Sequence, residues 1–199
     1  MRPRRSSRAV RGLTLIELLV TLAVAAVLMT IAVPSFLAFQ RNSELTSAAN
    51  GLVASLATAR GEAMKTGKPA MVVPADGSSW NSGWVVFLDK DQNEAFTESG
   101  DQVIFRQAAL ASHLSVSASG TADGSAPYIL FDGSGYPKKR SSNAPPWGNL
   151  TFSIVRNDVA DSTRWDQTRR VMISKAGRIR SCRPASASDS QCSGPDSDD

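Results

Sequence analysis

The residues near the C-terminus that are best suited to chemistry are arginines spaced to bind phosphate. In the segment SKAGRIRSC, residues 174–182, Ala176-Gly177 is typical of a turn. A β-strand after that turn places Arg178 and Arg180 on one face, about 7 Å apart. This spacing roughly matches successive phosphates along one DNA strand. The segment therefore predicts a site that binds a polyanion.

Other cations surround this pair. Residues 138–183 carry eleven basic and three acidic side chains, whereas residues 69–137 carry two basic and eight acidic ones. The predicted DNA-binding set comprises Arg178, Arg180, Lys175, Arg170, Arg183 and Arg169, and Lys138-Lys139-Arg140 would extend it. Because no base-reading element is visible, we expect binding to be indifferent to sequence and sensitive to salt. Alternatively, these arginines pair with Asp158, Asp161, Asp166 or the acidic tail.

A single carboxylate interrupts the apolar run at the N-terminus. Residues 13–33 contain no other charge and would span about 30 Å as a helix, the thickness of a bilayer core. Five arginines precede the run, so the leader should stay cytoplasmic. A charge in a membrane is costly and usually has a partner. Glu17 therefore either pairs with a positive group on a neighbouring copy or extends to water at the interface.

Two cysteines, Cys182 and Cys192, lie close together in the sequence. An exported chain would pair them and a cytosolic chain would not. A disulfide that closes so short a loop adds about 3 kcal/mol at most to the free energy of unfolding in the chain-entropy model. It would therefore act as a local constraint near the arginines.

No pattern in the sequence indicates an enzyme, a metal or a cofactor. The acidic stretch from Asp89 to Glu94 fails the EF-hand template at the glycine and at the final glutamate, and is interpreted as an acidic turn. His113 is the single histidine, and no nucleophile and acid are marked to join it in a triad. Neither cysteine has the spacing of a redox motif.

The elements that must position these residues are one long helix and several strands. Apolar residues recur at three- and four-residue steps from Leu45 to Ala63, and Gly67 with Pro69 provides a stop. A helix of about fifty residues is expected, kinked or locally melted at Pro34. Eight strands follow: 70–73, 84–88, 102–106, 113–117, 128–131, 150–155, 170–174 and 178–182.

These patterns predict an α+β protein, with a long N-terminal helix packed on an antiparallel β-sheet domain. The expected divisions are a leader at 1–12, a membrane-spanning helix at 13–33, its amphipathic continuation at 34–67, a β domain at 68–183 and a flexible acidic tail at 184–199.

The stretch GLTLIEL at residues 12–18, after a short basic leader, resembles the processing site of type IV pilins and pseudopilins. Segments 83–89, 102–105 and 131–135 are similar to the FimT/GspH branch of that family, and Gly177-Arg178-x-Arg180 resembles a motif of FimT-type minor pilins. Leu13 stands where most relatives have phenylalanine.

The resemblance implies a type IV pilin-like fold and cleavage by a prepilin peptidase between Gly12 and Leu13, followed by N-methylation of Leu13. It implies that Glu17 aligns each subunit with other pilin subunits in a filament. It places the chain in the bacterial inner membrane, with its β domain in the periplasm, and in a pilus. It also implies DNA capture in natural transformation.

Three alternatives remain open at this point. In the first, the chain is a minor pseudopilin of a type II secretion system, and its basic surface faces a protein. In the second, it is a minor pilin that primes pilus assembly without binding DNA. Or it is a single-pass membrane protein that is never processed, which the Gly12–Glu17 motif disfavours.

Overall fold

The computed structural model describes residues 14–141, 149–160, 164–186, 189, 191 and 192. The chain divides into two compact units, residues 1–40 and 41–199. The predicted cleavage site at Gly12 and Leu13 lies outside the described residues. Asp161, one of the predicted alternative partners of the arginines, also lies outside them.

The first unit contains the beginning of helix α1, which runs from Leu15 to Thr66. A window of this helix near the N-terminus has a mean hydropathy of 2.5 and is long and apolar enough to cross a membrane. Its apolar side chains are exposed rather than packed on protein. Of the predicted kink or local melting at Pro34, melting is wrong, because the helix is uninterrupted there. Proline removes one backbone hydrogen bond, which the helical residues on both sides of it tolerate.

In the second unit, α1 buries one stripe of small and aliphatic side chains against the sheets. The buried positions are Leu45, Ala49, Leu52, Ser55, Leu56, Ala59 and Ala63. This stripe confirms the predicted apolar face. The helix ends where Gly67, with a φ of 68°, donates its N–H to the carbonyl of Ala63 at 2.9 Å. A positive φ favours glycine, which explains the stop at this residue.

In the part of the chain that the structure describes, nine strands form two antiparallel sheets. The strands are β1 Ala70–Pro74, β2 Trp84–Leu88, β3 Gln102–Gln107, β4 Leu114–Ala118, β5 Ile129–Phe131, β6 Pro137–Lys138, β7 Leu150–Arg156, β8 Thr168–Ile173 and β9 Ile179–Cys182. The first sheet has the order β3-β2-β1-β5-β6 and the second the order β4-β7-β8-β9. The predicted α+β class is confirmed, and β6, a two-residue strand, is the one that the sequence patterns did not predict.

One hydrophobic core joins the helix to both sheets. Trp84 from the first sheet donates its indole N–H to the hydroxyl of Ser55 on α1 at 2.8 Å. Trp80 contacts Phe152 of the second sheet edge-to-face, with ring centroids 4.9 Å apart. Because the two sheets share this core, the face of each sheet turned away from it is the outward face.

Candidate functional site

The β8–β9 hairpin positions the predicted phosphate-binding pair. Its three-residue turn, Lys175 to Gly177, closes with a hydrogen bond from the Gly177 N–H to the Ser174 carbonyl at 2.8 Å. Gly177 has a φ of 75°, in the left-handed region that such a hairpin turn requires. The Ser174 N–H then donates to the Arg178 carbonyl at 3.0 Å, which begins the pairing of β9.

Arg178, the residue immediately before β9, and Arg180 on β9 both lie on the outward face of the second sheet. Ile179, between them, packs on the shared core, so alternation along the strand turns its two neighbours outward. Both arginines are exposed, and β9 is the edge strand of the second sheet. Arg180 is paired in register with Met172, and its Nη2 lies 3.7 Å from the Met172 sulfur. The outward surface formed by Lys175, Arg178 and Arg180 is called the β9 basic surface below.

Arg170 lies beside this surface but is half-buried. It is opposite Cys182 in the β8–β9 register, and its Nη1 donates to the carbonyl of Cys192 at 2.7 Å. Its guanidinium carbon is also 5.7 Å from the ring centroid of Trp165. Arg170 therefore holds the segment around Cys192 and contributes positive potential more than an accessible contact.

Arg169 and Arg183 belong to a different cluster. Arg169 precedes Arg170 on β8 and so points to the opposite face, where its Nη2 lies 3.4 Å from the side-chain oxygen of Asn42 on α1. Burial, together with the nearby charge of Arg183, lowers the pKa of Arg169. Arg183 forms an ion pair with Asp166 at 2.5 Å. The structure does not bring these two arginines to the β9 basic surface.

Carboxylates occupy only part of the basic region. Asp158 accepts two hydrogen bonds from Arg156, at 2.8 and 2.9 Å, and one from Arg41 at 2.6 Å. Asp166 is paired with Arg183. Within the part of the chain that the structure describes, no carboxylate contacts Lys175, Arg178 or Arg180. The predicted alternative, in which the arginines pair internally, thus holds for Arg183. For Arg178 and Arg180 it stays open, because Asp161 and most of the acidic tail lie outside the described residues.

Arg60 of helix α1 holds the β8–β9 turn by hydrogen bonds. Its Nε donates to the carbonyl of Gly135 at 3.0 Å, and its Nη2 donates to the carbonyl of Ala176 at 3.3 Å. One guanidinium therefore holds the β5–β6 turn and the β8–β9 turn together. Sequence reasoning missed this contact because the partners are 75 and 116 residues away and no local pattern marks them.

The disulfide closes the far end of β9. Cys182 and Cys192 are bonded, with α-carbons 5.8 Å apart across ten positions of sequence. Cys182 is the last residue of β9, and Cys192 supplies the carbonyl that Arg170 binds. The β9 basic surface is consequently held at its turn by Arg60 and at its other end by the disulfide.

At the start of α1, Thr14 and Glu17 cap the helix reciprocally. The Glu17 N–H donates to the Thr14 hydroxyl at 3.2 Å, and the Thr14 N–H lies 3.5 Å from a Glu17 carboxylate oxygen. This is a capping box, which satisfies two backbone donors at the first turn. The sequence signal for this cap is the Thr-x-x-Glu spacing. Glu17 therefore has a helix-capping role, and its role in assembly stays a prediction.

The acidic turn after β2 brings together the carboxylates of Asp89, Asp91 and Asp101, within 4.8 Å of one another. Burial and the neighbouring carboxylates raise the pKa of Asp89. The two oxygens of Asp89 accept the N–H groups of Asn93 and Glu94, at 3.2 and 2.9 Å. These backbone bonds account for the arrangement as the cap of a tight loop.

Comparisons with known proteins agree with this architecture. Residues 48–177 match the family model described as type II transport protein GspH, and residues 7–33 match the prokaryotic N-terminal methylation motif. Among curated proteins, none matches the sequence.

Two solved structures are similar to the chain, and the first of them shows the fold. The type IV minor pilin FimU of Pseudomonas aeruginosa is 23% identical, with a TM-score of 0.53, over 80% of this chain and 98% of that one. The minor pseudopilin EpsH from the type 2 secretion system of Vibrio cholerae is 18% identical, with a TM-score of 0.49, over 72% of this chain and 99% of that one. Because the family model covers more than half of the sequence, the chain belongs to the GspH family of minor pilins and pseudopilins.

Proposed function

We propose that this minor pilin or pseudopilin is a type IV pilus subunit that binds DNA without sequence preference, in the service of DNA uptake by natural transformation. The observation that carries the proposal is the β9 basic surface. Arg178, just before the edge strand β9, and Arg180 on that strand are both exposed on its outward side, and no described carboxylate neutralises them.

The geometry favours phosphate as the ligand. The α-carbons of two arginines at alternate positions of extended backbone are about 7 Å apart. Guanidiniums at this spacing suit contact with neighbouring phosphates. Arg60 and the disulfide hold the strand at both ends, so little ordering is needed on binding. Such contacts position the protein on the DNA backbone and carry no base preference.

The N-terminal unit supports membrane insertion and assembly. A prepilin peptidase would cut between Gly12 and Leu13 and methylate Leu13, within the segment that matches the methylation motif. The apolar part of α1 would then anchor the subunit in the inner membrane, with residues 41–199 in the periplasm. Glu17 would pair with the new amine of a neighbouring pilin subunit when the filament forms.

A second function is favoured by the description of the matching family, type II transport protein. In that case the chain is a pseudopilin of a type II secretion system, and the β9 basic surface docks on an acidic surface of a protein. A minor pilin that primes assembly without binding DNA has no observation of its own to favour it.

DNA binding is tested with the full chain in a non-ionic detergent and a short labelled duplex, by fluorescence anisotropy. The double variant Arg178→Ala/Arg180→Ala should bind at least about tenfold more weakly than the wild type. The control Lys90→Ala/Arg106→Ala also removes two positive charges. Lys90 lies in the loop after β2 and Arg106 lies on β3 of the first sheet, and this variant should bind like the wild type. Equal binding by wild type and the Arg178/Arg180 variant would overturn the proposal.

A further inference from the structure

The β9 basic surface begins at a turn that touches the β5–β6 turn of the first sheet. The β5–β6 and β8–β9 hairpins touch at their turns, so closely that a β-carbon on Gly177 would stand 2.5 Å from the carbonyl oxygen of Gly135. Arg60 donates to both turns. The residues that follow these two glycines, Tyr136 and Arg178, are therefore neighbours, with α-carbons within about 14 Å by chain geometry.

Tyr136 has a fixed backbone and an exposed ring. Its N–H donates to a carboxylate oxygen of Asp132 at 3.0 Å, and its carbonyl accepts the Asp132 N–H at 2.9 Å. The residue is nevertheless 49% exposed. For the described part of the chain, no hydrogen bond or ring contact of the Tyr136 side chain is found. An exposed aromatic ring on a fixed backbone is suited to stacking.

The ring also lies on the outward side of the first sheet. Phe131 and Pro137, which are paired in register, are buried, and Phe131 packs in the shared core. Tyr136 and Lys138, the residues on either side of Pro137, alternate to the other face. Lys138 is paired with Asp132 at 3.0 Å, so it adds little net charge there. Tyr136 therefore lies next to the turn that touches the β8–β9 turn, and no described carboxylate contacts Arg178 or Arg180 there.

We propose that Tyr136 stacks on an unpaired base while Arg178 and Arg180 hold the adjoining phosphates, so that this surface prefers single-stranded DNA to duplex. The inference rests on the proposed DNA-binding function and specifies its substrate. Stacking on an aromatic side chain is tolerant of sequence because every base has a π-face. In a duplex the bases are already stacked and only the phosphates remain accessible to this surface, so the ring adds affinity for single strands alone.

The test compares a labelled oligothymidine with a duplex of equal length, by anisotropy on the full chain in non-ionic detergent. Tyr136→Ala should weaken binding of the single strand at least about fivefold and leave duplex binding within about twofold. Tyr136→Phe keeps the ring and should bind both like the wild type. Phe105→Ala is the matched control, since Phe105 is 43% exposed on β3, the opposite edge of the first sheet, and its loss should change neither affinity.

The outcomes separate this inference from the function on which it rests. If the wild type binds DNA but Tyr136→Ala affects single strand and duplex equally, or neither, the stacking role is wrong and the DNA-binding function stands. A loss with Tyr136→Phe equal to that with Tyr136→Ala would also reject stacking, because it would assign the effect to the hydroxyl. If the wild type binds neither DNA at low salt, the proposed function itself fails.

Discussion

Arg60 lies so close to Gly177 that a β-carbon added to the glycine would stand 3.0 Å from the Arg60 Nε. Two structural features therefore require glycine at position 177 of the Gly-Arg-x-Arg motif. One is its positive φ, and the other is the close approach of helix α1 and the β5–β6 turn. The motif is more than a pair of charges, because its first residue sets how the strand carrying those charges meets the rest of the domain.

Gly177→Ala should therefore destabilise the domain by about 2 to 4 kcal/mol, since it adds both a left-handed backbone strain and a clash with the Gly135 carbonyl. The control is Gly77→Ala. Gly77 has a φ of 81° but nothing within 4 Å of an added β-carbon. Its replacement therefore adds backbone strain alone and should lower the free energy of unfolding by about 1 kcal/mol. Urea unfolding, followed by the near-ultraviolet circular dichroism of the tryptophans, measures the free energy of unfolding of both variants. Equal losses for the two variants would show that the contact with the β5–β6 turn has no energetic weight.

Asp158 should make the stability of the domain depend on acid. The hydrogen bonds from Arg156, and after them that from Arg41, lower the pKa of Asp158 against the effect of burial. A carboxylate whose folded pKa lies below its unfolded value, about 3.9, stabilises the fold above that pH and loses this contribution as the pH falls through the folded pKa. Asp158→Asn should cost about 2 to 3 kcal/mol at pH 7, because Arg156 is buried and loses its charged partner.

The difference between Asp158→Asn and the wild type should then shrink as the pH is lowered below about 4. Glu98→Gln provides the control, since Glu98 pairs with Arg106 where both side chains are exposed, and such a pair contributes about 0.5 kcal/mol. Unfolding curves at several pH values give both quantities. A penalty for Asp158→Asn that is constant from pH 7 to pH 3 would contradict the role of the ion pair.

The disulfide should contribute to stability and to the shape of the β9 basic surface. Replacing both Cys182 and Cys192 with serine should lower the free energy of unfolding by about 2 to 3 kcal/mol, as expected for a loop of this length. The same variant should bind DNA more weakly, because Arg170 loses the ordered carbonyl of Cys192. Dithiothreitol added to the wild type should reproduce both effects, and its failure to weaken DNA binding would show that β9 is held without the bond.

Glu17 offers a way to separate capping from assembly. Glutamine serves in a capping box nearly as well as glutamate but carries no charge. If the carboxylate pairs with the amine of a neighbouring subunit, Glu17→Gln should insert in the membrane and be excluded from filaments. Glu17→Ala should show the same exclusion. Sheared filaments probed for the subunit give the result, and incorporation of Glu17→Gln at the wild-type level would assign Glu17 to helix capping alone.

The helix and most strands could be predicted from the sequence because their periodicities are local. The step of three or four residues from Leu45 to Ala63 and the alternation around Ile179 both depend on neighbouring positions. The short strand β6 was missed because two residues are too few to show alternation. Local melting, one of the two outcomes expected at Pro34, does not occur, since the helix continues on both sides.

The candidate site was predictable in its centre and less so at its margins. Alternation correctly turns Arg178 and Arg180 outward, and the same rule applied to the adjacent Arg169 and Arg170 would have separated them. The ion pair of Arg183 with Asp166 and the contact of Arg60 with two distant turns depend on tertiary packing, which no local pattern marks.

The measurement that tests the central claim most directly is the salt dependence of duplex binding by the wild type and by Arg178→Ala/Arg180→Ala. The logarithm of the binding constant should fall linearly with the logarithm of salt concentration, by about 0.9 per phosphate contacted. Loss of two phosphate contacts should reduce the magnitude of that slope by about 1.8. Parallel slopes for the two proteins would contradict the claim that these arginines bind the DNA backbone.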